Sequence, residues 1–328
     1  MFSKDIGIDL GTANILINIR GEGIVLNEPS VLAIDEESKK VLAVGLDAYD
    51  MLGRTPGKIK ALRPLKDGVI ANFELTEIML NYFIKKVKAK NIFCKPRILI
   101  CCPTNVTEVE KNAIKEAAER IGARKVYIEE EPKVAAIGAG LDISKPNGSM
   151  IVDIGGGTTD IAVLSLGEIV TSKSIKNAGT TFDNEIVNYV KENYDLLIGE
   201  ITAEEVKKKI GVVFDIVKKE KMNIRGRNLI NGLPYTISIS NEEVRKALEP
   251  SIKKIILTIK QLLEITPPEL SGDIINKGIV VTGGGALLRG LDKLLEKELN
   301  VPIYIAKNPL TCVAEGTGIM LENFKNIK

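Results

Sequence analysis

The chain has 328 residues, 45% apolar and 27% charged, and its 45 basic against 43 acidic side chains leave a formal charge of +2; this suits about two soluble domains and gives no electrostatic reason to expect nucleic acid. Histidine and tryptophan are absent and aromatics make up 4%, which removes imidazole triads, histidine metal sites and imidazole bases and argues against stacking platforms for single strands. No window approaches the roughly 18 apolar residues of a membrane span, and Met1–Asp5 runs into an apolar strand without a signal-peptide core, so the sequence predicts a cytoplasmic protein.

In chain order, Ile6-Gly7-Ile8-Asp9 reads as a strand, Gly11 as its turn, and Ile15–Ile19 as a returning strand before Gly21-Glu22-Gly23. Residues 35–65 are mixed, with turn signals at Asp35–Lys39 and Thr55-Pro56-Gly57. The spacing of Ile78, Leu80, Phe83, Ile84 and Val87 predicts a helix over 76–90. A buried strand follows over Arg97–Cys102. Cys101 and Cys102 inside it, like Cys94 and Cys312, show no Cys-x-x-Cys spacing and read as small buried hydrophobes. Thr107-Glu108-Val109-Glu110 has the spacing of a capping box and opens a helix to about Ile121. A strand over Lys125–Ile128 leads through Glu129-Glu130-Glu131-Pro132 into a small-residue helix ending near Gly138, and Lys145-Pro146-Asn147-Gly148 is taken as the main domain boundary.

The second half opens as the first did: Met150-Ile151-Val152-Asp153, then Gly155-Gly156-Gly157, then a strand over Ile161–Leu164. Helices are predicted over 182–194 and 203–221, and a strand over 237–240. A long amphipathic helix is marked by Ile252, Ile255, Ile256, Ile259, Leu262 and Leu263. A strand over Ile279–Thr282 enters Gly283-Gly284-Gly285, and helices close the chain over 291–299 and 314–324.

The repetition carries the chemistry. Asp9 and Asp153 each end an apolar strand, precede a tight turn of glycine and small hydroxyl residues, and are followed by another strand. Such turns point backbone N–H groups outward and bind phosphate. A carboxylate beside each would repel bare phosphate but suits a hydrated Mg²⁺ bridging its oxygens. A single Asp-x-Gly turn is ordinarily only a hairpin; two copies plus a third glycine turn at a strand end point to a di- or triphosphate clamped between them. The chain has no Gly-x-x-x-x-Gly-Lys-Ser/Thr, and the Gly155 turn runs into a strand where a dinucleotide fingerprint needs a helix, so P-loop and Rossmann readings are disfavoured.

Ile6–Asn14, Asp153–Asp160 and Thr282–Gly285 resemble the two phosphate motifs and the adenosine motif of the actin/Hsp70/sugar-kinase superfamily. Asn27-Glu28-Pro29-Ser30-Val31, Arg63–Ile70, Glu130-Glu131-Pro132 and Thr266-Pro267-Pro268-Glu269-Leu270 are similar to MreB-type bacterial actins, while Ile100–Asn105 and Ile224-Arg225-Gly226-Arg227 look closest to the Mbl branch. The resemblance implies an α/β, actin-like fold: two duplicated RNase H-like domains around a nucleotide cleft, each with a smaller subdomain. Its divisions would fall at 1–32, 66–145 and 312–328 (IA), 33–65 (IB), 146–179 with 244–311 (IIA), and 180–243 (IIB).

By the same resemblance, Thr12, Ala13 and Asn14 would contact the β- and γ-phosphates, with Gly155, Gly156 and Gly157 on the opposite wall. Asp9 and Asp153 would hold the Mg²⁺ shell through water. Glu131 would orient the attacking water, helped by Thr158. Gly283, Gly284, Gly285 and Ala286 would meet the adenosine, and Glu204 and Lys207 the ribose or base; as residues, those two read almost equally well as a solvated helix face. Phosphoryl transfer needs positioning and charge neutralisation, so a site without histidine suffices. Two departures from the family pattern stand near the nucleotide: Thr180 follows Ala178-Gly179 where relatives often carry Asp, and Lys209 replaces a frequent Glu.

Ile92 and Phe93, flanked by Lys85, Lys86, Lys88, Lys90, Lys95 and Arg97, form an apolar tip among basic residues. It reads either as a core cap or, by the resemblance, as a loop that inserts into the inner membrane face. The resemblance further implies an ATP-dependent homopolymer of paired protofilaments that organises cell-wall synthesis with elongation machinery of the MreC/MreD/RodZ type, and a weak ATPase coupled to assembly. A small-molecule kinase of the superfamily and a nucleotide-binding scaffold without turnover remain the alternatives.

Overall fold

The computed structural model describes residues 5–88, 95–104, 106–214 and 218–323. Its first half begins with a meander of β1 (Ile6–Leu10), β2 (Asn14–Ile19) and β3 (Gly23–Pro29). Then come β4 (Leu32–Asp35), β5 (Val41–Val44), the short α1 (Leu46–Tyr49) and β6 (Ile59–Leu62), which form a small sheet of order β5-β4-β6. A two-stranded ribbon of β7 (Leu65–Lys66) and β8 (Val69–Ile70) leads to α2 (Phe73–Lys88), β9 (Arg97–Cys102), α3 (Glu108–Arg120), β10 (Lys125–Glu130) and α4 (Glu131–Gly138). The main sheet of this half runs β10-β9-β1-β2-β3, with β1 antiparallel to β2 and parallel to β9.

The second half repeats the plan with β11 (Ser149–Ile154), β12 (Thr159–Ser165) and β13 (Glu168–Ile175), then α5 (Gly179–Tyr194), β14 (Leu196–Leu197), α6 (Glu200–Ile210), β15 (Lys221–Asn228) and β16 (Pro234–Ser240). It continues through α7 (Asn241–Ile265), α8 (Pro268–Lys277), β17 (Ile279–Thr282), a 3₁₀ turn over Gly284–Leu287, α9 (Leu291–Leu299), β18 (Ile303–Ile305) and α10 (Cys312–Glu322). Its main sheet runs β13-β12-β11-β17-β18, again with the first strand of the meander antiparallel to the second and parallel to the next crossover strand. β11 therefore occupies the place of β1, and Asp153 that of Asp9. The duplication read from the two turns extends to the whole topology of both sheets.

Local chemistry accounts for the main boundaries. Thr107 caps α3 as expected: its hydroxyl accepts from the Glu110 N–H, while the Glu110 carboxylate accepts from the Thr107 N–H at 2.8 Å. Ser240 and Glu243 repeat that box at the start of α7. Asp195 and Asn300, with φ of 48° and 54°, end α5 and α9 in the left-handed conformation that short polar side chains tolerate best after glycine.

One expected helix is corrected. The segment from 203 to 221 is helical only to Ile210; Gly211 is extended, and Val213 N–H donates to the Arg289 carbonyl at 3.0 Å. The apolar residues Val212 and Val213 of that segment are buried by this extended connection.

Each half has its own apolar core. A third core joins them, built from Leu99 and Cys101 of the first sheet, Ile151, Ala162 and Leu164 of the second, and residues of α4 and α10. There α4 and α10 touch backbone to backbone: a Cβ on Gly138 would lie 1.8 Å from the Cys312 carbonyl oxygen, and one on Gly316 would lie 2.0 Å from that of Val134. Only glycine allows this approach, and it fixes the helix whose first residue is Glu131. Cys101, Cys102 and Cys312 are buried free thiols, as expected, and burial pushes the Cys102 thiol up to about 12; Cys94 lies outside the described residues.

Candidate functional site

The two glycine turns meet. The turn between β1 and β2 is pinned from behind by Ser30, whose hydroxyl donates to the Gly11 carbonyl at 2.6 Å and whose N–H donates to the Ala13 carbonyl at 2.9 Å. The turn between β11 and β12 closes through Gly155 N–H to the Thr158 carbonyl, 2.9 Å. A Cβ on Gly156 would lie 2.6 Å from the Ala13 Cβ, and one on Gly157 would lie 2.6 Å from the Thr12 hydroxyl oxygen. Residues 12–13 and 155–157 thus face each other at contact distance across the junction of the two halves. Asn14, at the start of β2, is exposed and donates from its side chain to Asn27 at 2.7 Å.

Thr180, one of the two departures, anchors this arrangement. Its N–H and its hydroxyl both donate to the Gly156 carbonyl at 2.8 Å, and Gly179 N–H reaches the Gly155 carbonyl at 3.1 Å. The start of α5 therefore holds the second turn in place by donating to its backbone acceptors, and the side-chain contact needs a hydroxyl proton that an ionised aspartate would lack. Lys209, the other departure, pairs with Glu205 at 3.2 Å on an exposed face.

Behind the turns, carboxylates accumulate. Asp9 and Glu131 are partly open to the cleft and Asp153 is buried. Desolvation pushes Asp9 up to about 7. It also raises Asp153, reinforced by Asp160 and Asp9, and raises Glu131, reinforced by Asp160, Asp9 and Asp153. Among the described residues no lysine or arginine pairs with any of the three. A cluster of like charges without an internal cation is a fit for a divalent ion from outside. Among the described residues no three such side chains are grouped closely enough to hold an ion by themselves; the side chains present are carboxylates, the oxygen donors that a hard divalent ion takes.

The third glycine turn abuts the same spot. Thr282 pairs with Asp153 across β17 and β11. Gly283 has φ of 81°, and a Cβ there would lie 2.4 Å from the Asp153 carboxylate and 2.3 Å from the Ile154 carbonyl oxygen. Gly284, Gly285 and Ala286 follow in the 3₁₀ turn, with Gly285 and Ala286 buried. Residues 283–286 and the two hairpins therefore border one cleft.

α6 brings Glu204 and Lys207 to that cleft in different states. Glu204 accepts a hydrogen bond from the Tyr49 hydroxyl at 2.5 Å and pairs with Lys208 at 2.7 Å. Lys207 is held inward by Asp183 at 2.8 Å and by the Gly179 carbonyl at 2.9 Å; burial pushes the Asp183 carboxyl up to about 6 even with Lys207 opposing. Its ammonium thus ties α6 to α5. Nearby, Arg63 donates to Glu200 at 3.0 and 3.2 Å and to the Ala13 carbonyl at 3.3 Å. Tyr49 ends α1, beside the small sheet of the first half, and Arg63 follows β6 at that sheet's exit, so their contacts with Glu204 and Glu200 of α6 bridge the two halves at the mouth of the cleft.

Sequence reading missed Tyr49, Arg63, Asp160 and Asp183. Tyr49 and Asp183 lack any local signal because their partners are distant in sequence; Arg63 stood at the head of the family-like segment Arg63–Ile70, and Asp160 stood inside the second turn motif and was legible as a third acid beside it. Ile92 and Phe93 lie outside the described residues.

Residues 3–328 match the family model described as MreB/Mbl protein. The chain is 62% identical over 327 residues to the cell shape-determining protein Mbl of Bacillus subtilis (strain 168), covering 100% of this chain and 98% of that one. The crystal structure of MreB 5 of Spiroplasma citri bound to AMPPNP superposes with a TM-score of 0.95 at 45% identity, covering 99% and 98% of the two chains. The MamK double helical filament superposes at 0.84 with 23% identity over 98% and 99%, a likeness of fold. With an actin-like fold and a family match over nearly its whole length, the chain belongs to the MreB/Mbl family of bacterial actin homologues.

Proposed function

We propose that the protein is an ATP-binding, filament-forming cytoskeletal element that determines cell shape by organising cell-wall synthesis, and that it slowly hydrolyses its nucleotide. The observation that carries this reading is the contact of residues 12–13 with residues 155–157, with a carboxylate behind each turn. Backbone N–H groups of Thr12, Ala13 and Asn14 on one wall and of Gly156 and Gly157 on the other cradle the terminal phosphates; the Gly155 N–H, expected there as a third donor, instead closes the turn on the Thr158 carbonyl at 2.9 Å. Gly283–Ala286 lie flat against the adenosine, with Glu204 and Lys207 at its rim. Asp9 and Asp153 would hold Mg²⁺, as the sequence resemblance implies, and the ion would supply the positive charge that balances the carboxylate cluster and the phosphates. The AMPPNP found in the Spiroplasma relative supports an adenine nucleotide.

For hydrolysis, Glu131 and Thr158 orient a water whose oxygen attacks the γ-phosphorus as the bond to the ADP oxygen breaks; the water proton passes towards Glu131, whose affinity for it burial and neighbouring acids raise. Nucleotide favours the closed arrangement of the two halves, and the closed form assembles. The halves would divide into smaller subdomains at 33–65 and 180–243, a reading supported by the two small sheets β5-β4-β6 and β14-β15-β16 that fall largely within those spans. Filaments of paired protofilaments would lie on the inner membrane face through Ile92 and Phe93 and engage elongation proteins of the MreC/MreD/RodZ type. Among the described residues no helix is long and apolar enough to cross a membrane.

Sedimentation with ATP, ADP or no nucleotide, with and without anionic liposomes, while phosphate release is followed, tests the reading. Nucleotide-dependent pelleting with slow phosphate release is expected. A species that stays monomeric and releases phosphate only with a small acceptor would be a kinase instead.

A further inference from the structure

Two consecutive glycine peptides of the second turn are docked on the first residues of α5. Gly179 N–H donates to the Gly155 carbonyl at 3.1 Å, while the Thr180 N–H and hydroxyl both donate to the Gly156 carbonyl at 2.8 Å. The first N–H groups of a helix have no partner inside it; here two of them and a side chain go to the turn between β11 and β12. Among the described residues no peptide bond is cis, and in a trans peptide the N–H points opposite to the carbonyl. With the Gly155 and Gly156 carbonyls drawn onto α5, the N–H groups of those same peptides, which belong to Gly156 and Gly157, are turned away from the helix. Among the described residues neither has a protein acceptor. Adjacent N–H groups left over in this way are donors for an anion.

The hydrogen bonds line up further back. The Lys207 ammonium donates to the Gly179 carbonyl at 2.9 Å, and that carbonyl belongs to the peptide that carries the Thr180 N–H. Lys207, the Gly179–Thr180 peptide and the Gly156–Gly157 peptide therefore point the same way, and each bond in such a series polarises the next. The series ends in the Gly157 N–H. Its weak member is the last peptide. With glycine on both sides, no Cβ resists its rotation, and a flip would set a carbonyl oxygen where the N–H stands. The Thr180 hydroxyl, a second donor on the Gly156 carbonyl, holds the peptide against that flip.

We propose that Thr180 is a positioning residue of the phosphate clamp: its hydroxyl keeps the Gly157 N–H aimed at the terminal phosphates and so raises the affinity for adenosine di- and triphosphate over the monophosphate. This rests on the nucleotide-binding reading above and deepens it. Gly157 meets the phosphate; Thr180 acts through the turn.

The test measures the affinity of the full chain for ATP, ADP and AMP at one Mg²⁺ concentration, with urea midpoints alongside. Thr180→Val keeps the shape and the backbone N–H but removes the hydroxyl. Its affinity for ATP and ADP should fall about 3- to 10-fold, the effect of one lost hydrogen bond, and its affinity for AMP should change less than about twofold. Thr180→Ser should bind all three within about twofold of wild type. Amide exchange in the wild-type protein gives a readout that depends on no variant's folding: the Gly157 N–H should exchange about tenfold more slowly or less with saturating ATP or ADP, but not with saturating AMP. Equal losses for AMP and ATP in Thr180→Val, wild-type affinity for ATP in that variant, a Thr180→Ser as weak as Thr180→Val, or Gly157 exchange unmoved by ATP would each overturn the proposal. Wild-type protein that binds ATP no better than AMP would instead sink the phosphate clamp, and this role with it.

Discussion

Asp9, Asp153 and Glu131 are expensive residues to keep charged. Each sits at a strand or helix end where backbone and apolar core crowd out water, and each is pushed up from its ordinary value by that desolvation before any neighbour acts. Asp9 is raised to about 7 from 3.8. In the unfolded chain it loses its proton first, so its contribution to stability is fully present below about pH 4, falls as pH rises between the two values, and stays low above 7. Asp9→Asn should therefore remove a downward slope in unfolding free energy between pH 5 and 7. Above pH 7 it should stabilise the nucleotide-free protein by about 1–3 kcal/mol, below the full shift because Asp9 is partly open to the cleft. The same variant should lose Mg²⁺-dependent nucleotide affinity by about tenfold or more. Urea unfolding at four pH values and nucleotide titration check both; an unchanged slope would mean that Asp9 is charged at no cost. The two aspartates were legible in the sequence because the duplication put the same residue at the same strand end twice. Lys207 was legible only as a charge on a helix: its burial against Asp183 depends on how α6 lies on α5, which no local spacing encodes.

Elements were read best where one short pattern decides them. The capping box at Thr107, the alternation in β2 and the apolar stripe of α7 each rest on neighbours within a few residues, and each appears in the fold. The overlong helix after Ala203 was misread for the opposite reason: Val212 and Val213 fit the helical period, but a bridge to Arg289 some seventy-five residues away competes for that backbone and wins. The packing of α4 on α10 is another case of long-range geometry. Gly138 would pass as an ordinary helix end, yet the Cys312 carbonyl occupies the place of its missing side chain. Gly138→Ala should destabilise by about 2 kcal/mol or more, beyond the small gain in helix propensity that alanine brings. Because α4 carries Glu131, phosphate release should fall in the same variant while ATP still binds. A urea midpoint equal to wild type would show that the two helices have room to part.

At the scale of the whole molecule, the two halves share an apolar hinge at α4 and α10 and touch again at the mouth of the cleft, so closure can be tuned from either end. The two contacts at the mouth differ in strength. Arg63 and Glu200 form an ion pair whose acid is 42% exposed, and such pairs contribute roughly 0–1 kcal/mol and weaken with salt. The Tyr49 hydroxyl meets Glu204, whose side chain is 22% exposed, at 2.5 Å; burial and then the carboxylate itself hold the phenol proton firmly in place. A hydrogen bond to a charged group is worth about 1.5–3 kcal/mol when well shielded, and with Lys208 still satisfying part of Glu204 about 1 kcal/mol is a fair share. Tyr49→Phe should therefore shift the balance of closed to open about fivefold. If the open form is the one that lets nucleotide go, release of a fluorescent ATP analogue should quicken by the same factor, with little change in association. Raising salt to 0.5 M should weaken the Arg63 contact in both proteins and leave the gap between them intact. Release at the wild-type rate would place the closing free energy in the glycine turns and the hinge, and leave the tyrosine as a passive lid.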